Sequence, residues 1–328
     1  MKGLLIALFS LASLAAGAPS QRRQDAVTVQ QLNNFKLYAQ WSAASSCNSE
    51  KAAGQPVTCI DNQCSMFASH NASVVASFTG TILDMRGFVG VDHADHNIVV
   101  SFRGSTSVRN WIADIIFVQV PCDLTAVCLV HTGFFASWAE ISSRVIAAVR
   151  TAKAANPSYQ VIVTGHSLGG AVGTLAAAYI RKAGFAADLY TYGSPRVGNA
   201  AFVEFVTAQP GAEYRITHTV DPVPRLPPIF VNYRHTSPEY WINEGSDSVV
   251  TTDEVTVCSG YSNTNCNGGT KGLDIDAHGW YFQRLQGCST GETPFKREVS
   301  DAELEALLNM YVDMDVQTAK NLHAEGQS

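Results

Sequence analysis

Gly165-His166-Ser167-Leu168-Gly169 is the stretch of this sequence best suited to covalent chemistry. It matches G-x-S-x-G. The β-forming run Gln160 to Thr164 precedes it, and alanine-rich Leu168 to Lys182 follows as a helix. That is the strand–turn–helix setting of a nucleophile elbow, which holds its serine outward on a strained turn. Glycines at 165 and 169 remove side chains that would strike neighbouring elements. The helix N-terminus favours negative charge near the reacting oxygen.

A serine hydroxyl is a weak nucleophile and needs a base, itself oriented by a carboxylate. The expected chain order is serine, acid, histidine. Three histidines lie far enough along. His235, in Tyr233-Arg234-His235, reads as part of a strand. His323 lies in an acidic tail. His278, in Asp276-Ala277-His278-Gly279-Trp280-Tyr281, lies where a loop meets an apolar segment, the kind of position that carries catalytic groups. His278 is therefore preferred. For the acid, Asp221 follows the strand Tyr214 to Val220 and precedes Pro222-Val223-Pro224, placing it at the carboxyl end of a strand. Asp274 and Asp276 are rivals, but so close to His278 in sequence that a separate orienting loop is preferred. No CxxC pair and no ligand spacing among Asp274, Asp276 and His278 suggests a metal, and no cofactor is expected.

Strands alternating with helices must position these groups. Val74 to Phe78, Ile82 to Val91, Ile98 to Phe102, Gln160 to Thr164, Asp188 to Tyr192 and Glu213 to Thr219 read as strands. Asp25 to Ala44, Phe134 to Ala152, Leu168 to Lys182 and Ala200 to Thr207 read as helices. The pattern implies an α/β fold, with a central, mostly parallel sheet flanked by helices. Val108, Trp111, Ile112, Ile115 and Ile116 add an apolar stripe opposite Arg109, Asn110 and Asp114. This is a short amphipathic helix, too short to be stable alone in water.

The 328 residues carry a net charge of −6, with 46% hydrophobic and 15% charged residues. Such a chain can bury a large core and is not disordered. Its mild acidity argues against a nucleic-acid partner. Residues 1–18 read as a signal peptide: Lys2, an apolar run too short to span a bilayer, then Ala16-Gly17-Ala18. Arg22-Arg23 would end a propeptide at 19–23. The catalytic domain is read as 24–297, ending at the dibasic pair Lys296-Arg297. The 298–328 extension holds seven acids and one lysine and so carries most of the net charge. Its removal from the secreted chain is favoured, although Ser300 and Glu303 form a capping box before the stripe Leu304, Leu307, Leu308, Tyr311 and Val312. No other run spans a bilayer, so no transmembrane segment is expected. Eight cysteines in an oxidising compartment suggest four disulfides among 105 possible pairings. Local spacing favours Cys59–Cys64, Cys122–Cys128 and Cys258–Cys266, which leaves Cys47 with Cys288. Asn71-Ala72-Ser73 is an N-glycosylation acceptor in a secreted chain.

The motif around Ser167 combines with Tyr192-Gly193-Ser194-Pro195-Arg196-Val197-Gly198-Asn199, Asp221-Pro222-Val223-Pro224-Arg225-Leu226-Pro227-Pro228, Ser101-Phe102-Arg103-Gly104-Ser105 and His235-Thr236-Ser237-Pro238-Glu239-Tyr240-Trp241. Together, in order over residues 28–288, they resemble the filamentous-fungal secreted lipases (class 3 lipases). The resemblance implies an α/β-hydrolase-like fold, a Ser167–His278–Asp221 triad, an oxyanion hole at Ser105 and Leu168, and the four disulfides above. It makes the 108–116 stripe a lid that rolls open at a lipid or emulsion interface. Triacylglycerol is the preferred substrate, with mono- and diacylglycerol or phospholipid as alternatives. Related feruloyl esterases have a more polar lid segment, so Trp111 and the isoleucines favour a lipid. A binding protein without activity is disfavoured, because every triad and oxyanion candidate is present. Trp41 stands where several relatives have tyrosine, which bears on the acyl pocket. A monomer is expected.

Overall fold

The computed structural model describes residues 26–105, 107–245, 249–285, 288 and 299–326. The signal-peptide, propeptide and both dibasic features lie outside them.

The chain opens with α1 (Val29–Asn48), started by a capping box between Thr28 and Gln31 rather than at Asp25. Then come β1 (Ser73–Thr79), β2 (Arg86–Asp92), β3 (Asn97–Phe102), the short α2 (Val108–Asp114), β4 (Gln119–Pro121), β5 (Leu129–His131) and α3 (Thr132–Ala155). The second half contains β6 (Gln160–His166), α4 (Leu168–Lys182), β7 (Ala187–Tyr192), α5 (Ala200–Ala208), β8 (Glu213–His218), β9 (Glu239–Ile242), β10 (Val255–Cys258), α6 (Ile275–His278) and α7 (Asp301–Ala324).

Eight strands form one sheet in the order β1-β2-β3-β6-β7-β8-β9-β10. β3, β6, β7, β8 and β9 are parallel, and both edges are antiparallel. The central strands are buried on both faces, as parallel strands covered by helices must be. α3 and α4 pack on one face, where Trp138, Val145, Leu175 and Ile180 meet Val100 and Val163. α1 covers the other, where Phe35, Tyr38 and Trp41 meet Val99, Ile162 and Tyr190. Trp41 is buried and stacked on Phe67, with ring centroids 4.3 Å apart.

In register, Phe102 pairs with Gly165, His166 with Tyr192, and Tyr192 with Ile216. The carboxyl ends of β3, β6, β7 and β8 therefore finish at one edge, where open α/β sheets place their sites. The four disulfides are Cys47–Cys288, Cys59–Cys64, Cys122–Cys128 and Cys258–Cys266. The first ties the end of α1 to the segment after α6.

Three expectations need correction. β2 starts at Arg86, not Ile82. The segment 81–83 is a bend whose Ile82 N–H donates to the Glu140 carboxylate at 2.7 Å, leaving Ile82 85% exposed. His235 lies outside any strand and is buried with Nε2 on the Pro224 carbonyl at 2.7 Å. α2 stops at Asp114, so Ile115 and Ile116 lie beyond the helix and Ile116 is 61% exposed.

Candidate active site

Ser167 sits between β6 and α4 with φ +57° and ψ −127°, the strained backbone of an elbow. Its N–H donates to the Tyr192 carbonyl at 2.9 Å. The turn is possible only because its neighbours lack side chains. A Cβ on Gly165 would meet the Gly169 backbone, and one on Gly169 would meet the Phe102 carbonyl. Gly104 brings the Ser105 loop against the elbow: its Cβ would lie 3.3 Å from Ser167 Cβ and 2.9 Å from the His166 carbonyl.

Asp221 is fully buried, two residues beyond the Thr219 kink that ends β8. Its carboxylate accepts from His278 Nδ1 at 3.0 and 2.9 Å, from the Tyr281 hydroxyl at 2.5 Å and from the Val223 N–H at 2.9 Å. Burial alone would raise its pKa. The neighbouring His278 and these donors outweigh that and hold the carboxyl below its usual value. Burial, and then the charge of Asp221 beside it, push the Tyr281 phenol well above its usual value of 10.

His278 is the last residue of α6, which starts at Asp274, whose Oδ1 accepts from the Ala277 N–H at 2.9 Å. Asp274 is thus a helix cap, and Asp276 is exposed and 3.6 Å from Arg284. Neither rival of Asp221 is used on His278 Nδ1. The other ring nitrogen of His278, Nε2, is buried with no hydrogen-bond partner among the described residues. The backbone around it is tied twice: His166 Nε2 donates to the His278 carbonyl at 2.8 Å, and His218 Nδ1 to the Ala277 carbonyl at 2.9 Å. The His166 ring lies against His278, tilted by 36°, with centroids 4.5 Å apart. Enclosure by protein, and then the His278 charge, push His166 down to about 3, so it is neutral at ordinary pH.

Three participants carry no signal in a pattern search. Tyr281 and His166 are ordinary residue types whose roles depend on folding. Gly193 has φ +56°, and its Cβ would sit 2.8 Å from Asp221 Oδ2 and 2.9 Å from both His278 Nδ1 and Tyr281 Oη. Its place directly after a strand, before Ser194-Pro195, is the one available clue.

Ser105 lines a cavity of about 390 Å³ with Ser42, Ser45, Val108, His166 and His278. It also borders a cleft of about 340 Å³ along Trp111, Ile115 and His131. Trp41 lines neither; Ser42 and Ser45, which follow it on α1, line the first. The Ser105 hydroxyl accepts from the N–H of Ser107, the residue that caps α2, at 3.4 Å. Leu168 begins α4, so its N–H is one of the free donors of that helix end. In α2 only Ile112 is fully buried, while Trp111 stacks on Phe134 at 6.3 Å.

His323 is exposed on α7 and takes no part. Asn71 is exposed with φ +52°. His70, Asp92 and Asp95 converge within 4.8 Å, but the Asp92 carboxylate is already engaged by His70 and by the Ala94 and Asp95 N–H groups. No described helix is long and apolar enough to cross a membrane.

A family model for class 3 lipases matches residues 99–231. A secreted mono- and diacylglycerol lipase 1 of Fusarium solani is 49% identical over 97% of this chain and 99% of its own length. A secreted mono- and diacylglycerol lipase A of Penicillium cyclopium is 40% identical, over 89% and 97%. The solved structure of a mono- and diacylglycerol lipase from Aspergillus oryzae superposes with a TM-score of 0.75 at 40% identity, covering 79% of this chain and 99% of that one. With that elbow, that sheet edge and these likenesses along its length, the chain belongs to the class 3 lipases, on an α/β-hydrolase fold.

Proposed function

We propose that the chain is a secreted acylglycerol lipase working through an acyl-enzyme on Ser167. The observation that carries this is His278, with Nδ1 on a buried carboxylate and Nε2 buried and unpartnered beside the Ser167 elbow. A neutral His278 donating from Nδ1 has its lone pair on Nε2, the form a general base requires. As Ser167 Oγ attacks the ester carbonyl, its proton passes to Nε2 and Asp221 stabilises the imidazolium. The oxyanion is held by the N–H groups of Ser105 and Leu168, each such donor contributing typically about 3 kcal/mol. Collapse breaks the ester C–O bond, and Nε2 gives its proton to the departing glycerol oxygen. Water then repeats the cycle and releases the fatty acid. No metal is needed in these steps.

The 108–116 segment acts as the lid. Its inward residues Trp111, Ile112 and Ile115 exchange protein contact for lipid at an interface, a term of about 25 cal/mol per Å² of apolar area. The names of the relatives make mono- and diacylglycerols the first substrates to test. Rates on emulsified tri-, di- and monoglyceride, phospholipid, feruloyl ester and a soluble short-chain ester decide the reading. Preference for emulsified acylglycerol supports it, and activity on feruloyl ester alone overturns it. The chain acts as a monomer without nucleic acid, with Asn71 glycosylated. Residues 1–18 are removed as a signal peptide and 19–23 as a propeptide, leaving 24–297 as the catalytic domain once 298–328 is released. An intact mass ending at Ser328 on the secreted protein would refute that last release.

A further inference from the structure

The acidic extension does not stand off in solvent. α7 places Leu304 and Leu308 in a buried cluster with Ile112 of α2 and with Val223 and Leu226, which follow Asp221 in sequence. Val108, Trp111 and Ile115 on one side, and Val299 and Tyr311 on the other, pack around it. At the start of α7, Arg109 of α2 donates from Nε to Asp301 Oδ1 at 2.7 Å and from Nη2 to the Val299 carbonyl at 2.6 Å.

The same helix is anchored further along on the catalytic scaffold. Asp315 is buried, accepting from Arg196 Nη1 at 3.0 Å and from the Phe230 N–H at 3.1 Å. Arg196 also donates to the carbonyls of Arg225 and Pro227, so the anchor reaches the loop that carries Asp221. The Gly272 N–H donates to Asn309 Oδ1 at 2.9 Å, ahead of the loop leading to His278.

We propose that α7 is an inhibitory partner for the lid, carried on the same chain. The seven-residue α2 is too short to hold itself, so its closed position depends on what it packs against. To open, it must withdraw Ile112, its one fully buried residue, from Leu304 and Leu308, and must break both Arg109 bonds. α7 cannot follow it, because Asp315 fastens that helix to Arg196. The extension therefore opposes opening until it is displaced or removed. This inference rests on the lipase reading of the site for its consequence, but the contact can be tested without catalysis.

The test is hydrogen exchange over residues 108–115 in the full chain without lipid, comparing the native protein with Leu304→Asp/Leu308→Asp. The lid amides should exchange at least about tenfold faster in the variant, while 160–182 keep native protection. Hydrolysis of a soluble short-chain ester should rise in parallel. Unchanged lid exchange overturns the proposal. If 160–182 also lose protection, Leu308→Ala replaces the double variant and is read in the same way. If the lid exchanges faster and no form hydrolyses any ester, the clasp stands and the lipase reading falls. If ester hydrolysis is present throughout and lid exchange is unchanged, the clasp falls and the lipase reading stands.

Discussion

The ground around Asp221 and the seam between α2 and α7 both lie close to the site, yet they are built differently. At Asp221 three donors, His278 Nδ1, the Tyr281 hydroxyl and the Val223 N–H, converge on one carboxylate, and the surrounding backbone is tied at His278, Ala277 and Ser167. At the seam, Ile112 of α2 and Leu304 and Leu308 of α7 share a buried apolar cluster with Val223 and Leu226, and Arg109 bonds to Asp301 and to the Val299 carbonyl. The first arrangement has one geometry. The second rests mainly on apolar contact and meets the first at Val223, whose side chain lies in the seam while its N–H donates to Asp221.

The difference is broken most completely at the nucleophile. Ser167→Ala should lower kcat on a soluble ester by about 10⁴-fold or more while leaving the fold intact, as thermal unfolding will check. Gly193→Ala should come next. Its Cβ would press on Asp221, His278 and Tyr281 at once, in a conformation alanine rarely adopts, so kcat should fall at least about 100-fold. Tyr281→Phe removes one donor of three. A drop in kcat of roughly tenfold, with KM nearly unchanged, would mark it as a group that positions Asp221, at a stability cost of about 1–3 kcal/mol.

Acid should act on the tightly built region. Burial lowers His235 well below 6.5, and His166 lies near 3. Both are neutral when folded but take up a proton near pH 6.5 when unfolded. Below about 6.5 the unfolded chain therefore binds protons that the folded one does not, and stability falls as pH drops from there. Each makes the unfolding free energy drop by about 1.4 kcal/mol per pH unit in that window. In urea titrations from pH 7 to 4.5, His235→Gln should remove one proton's worth of that slope. The smallest effect belongs to the seam's surface. Asp301→Ala breaks an ion pair that is largely exposed, so stability should change by no more than about 1 kcal/mol, and less still as salt is added.

The sequence carries the elbow and the sheet plainly, because each is local or periodic. Ser167 is flanked by the glycines its turn needs, and β6 is a run of β-formers. The four cysteine pairs were readable because three close short loops. What sequence could not carry depends on long-range packing. The capping role of Asp274 follows from where α6 starts, and His235 turns inward without a strand because its loop folds against Pro224. Ile82 and Leu83 look like strand residues, but the bend they occupy is set by Glu140, 58 positions away from Ile82. The stripe on 301–312 was visible as a helix with an apolar side. Its partner was not, because Ile112 lies nearly two hundred residues earlier.

The central claim is that Ser167 is the nucleophile activated by His278. It is tested most directly by treating the folded full chain with a fluorophosphonate ester and mapping the adduct by peptide mass. The account predicts one phosphonyl group, carried by Ser167, with labelling slowed at least about 100-fold in His278→Ala. Labelling that survives Ser167→Ala, or that proceeds at the native rate without His278, would contradict it.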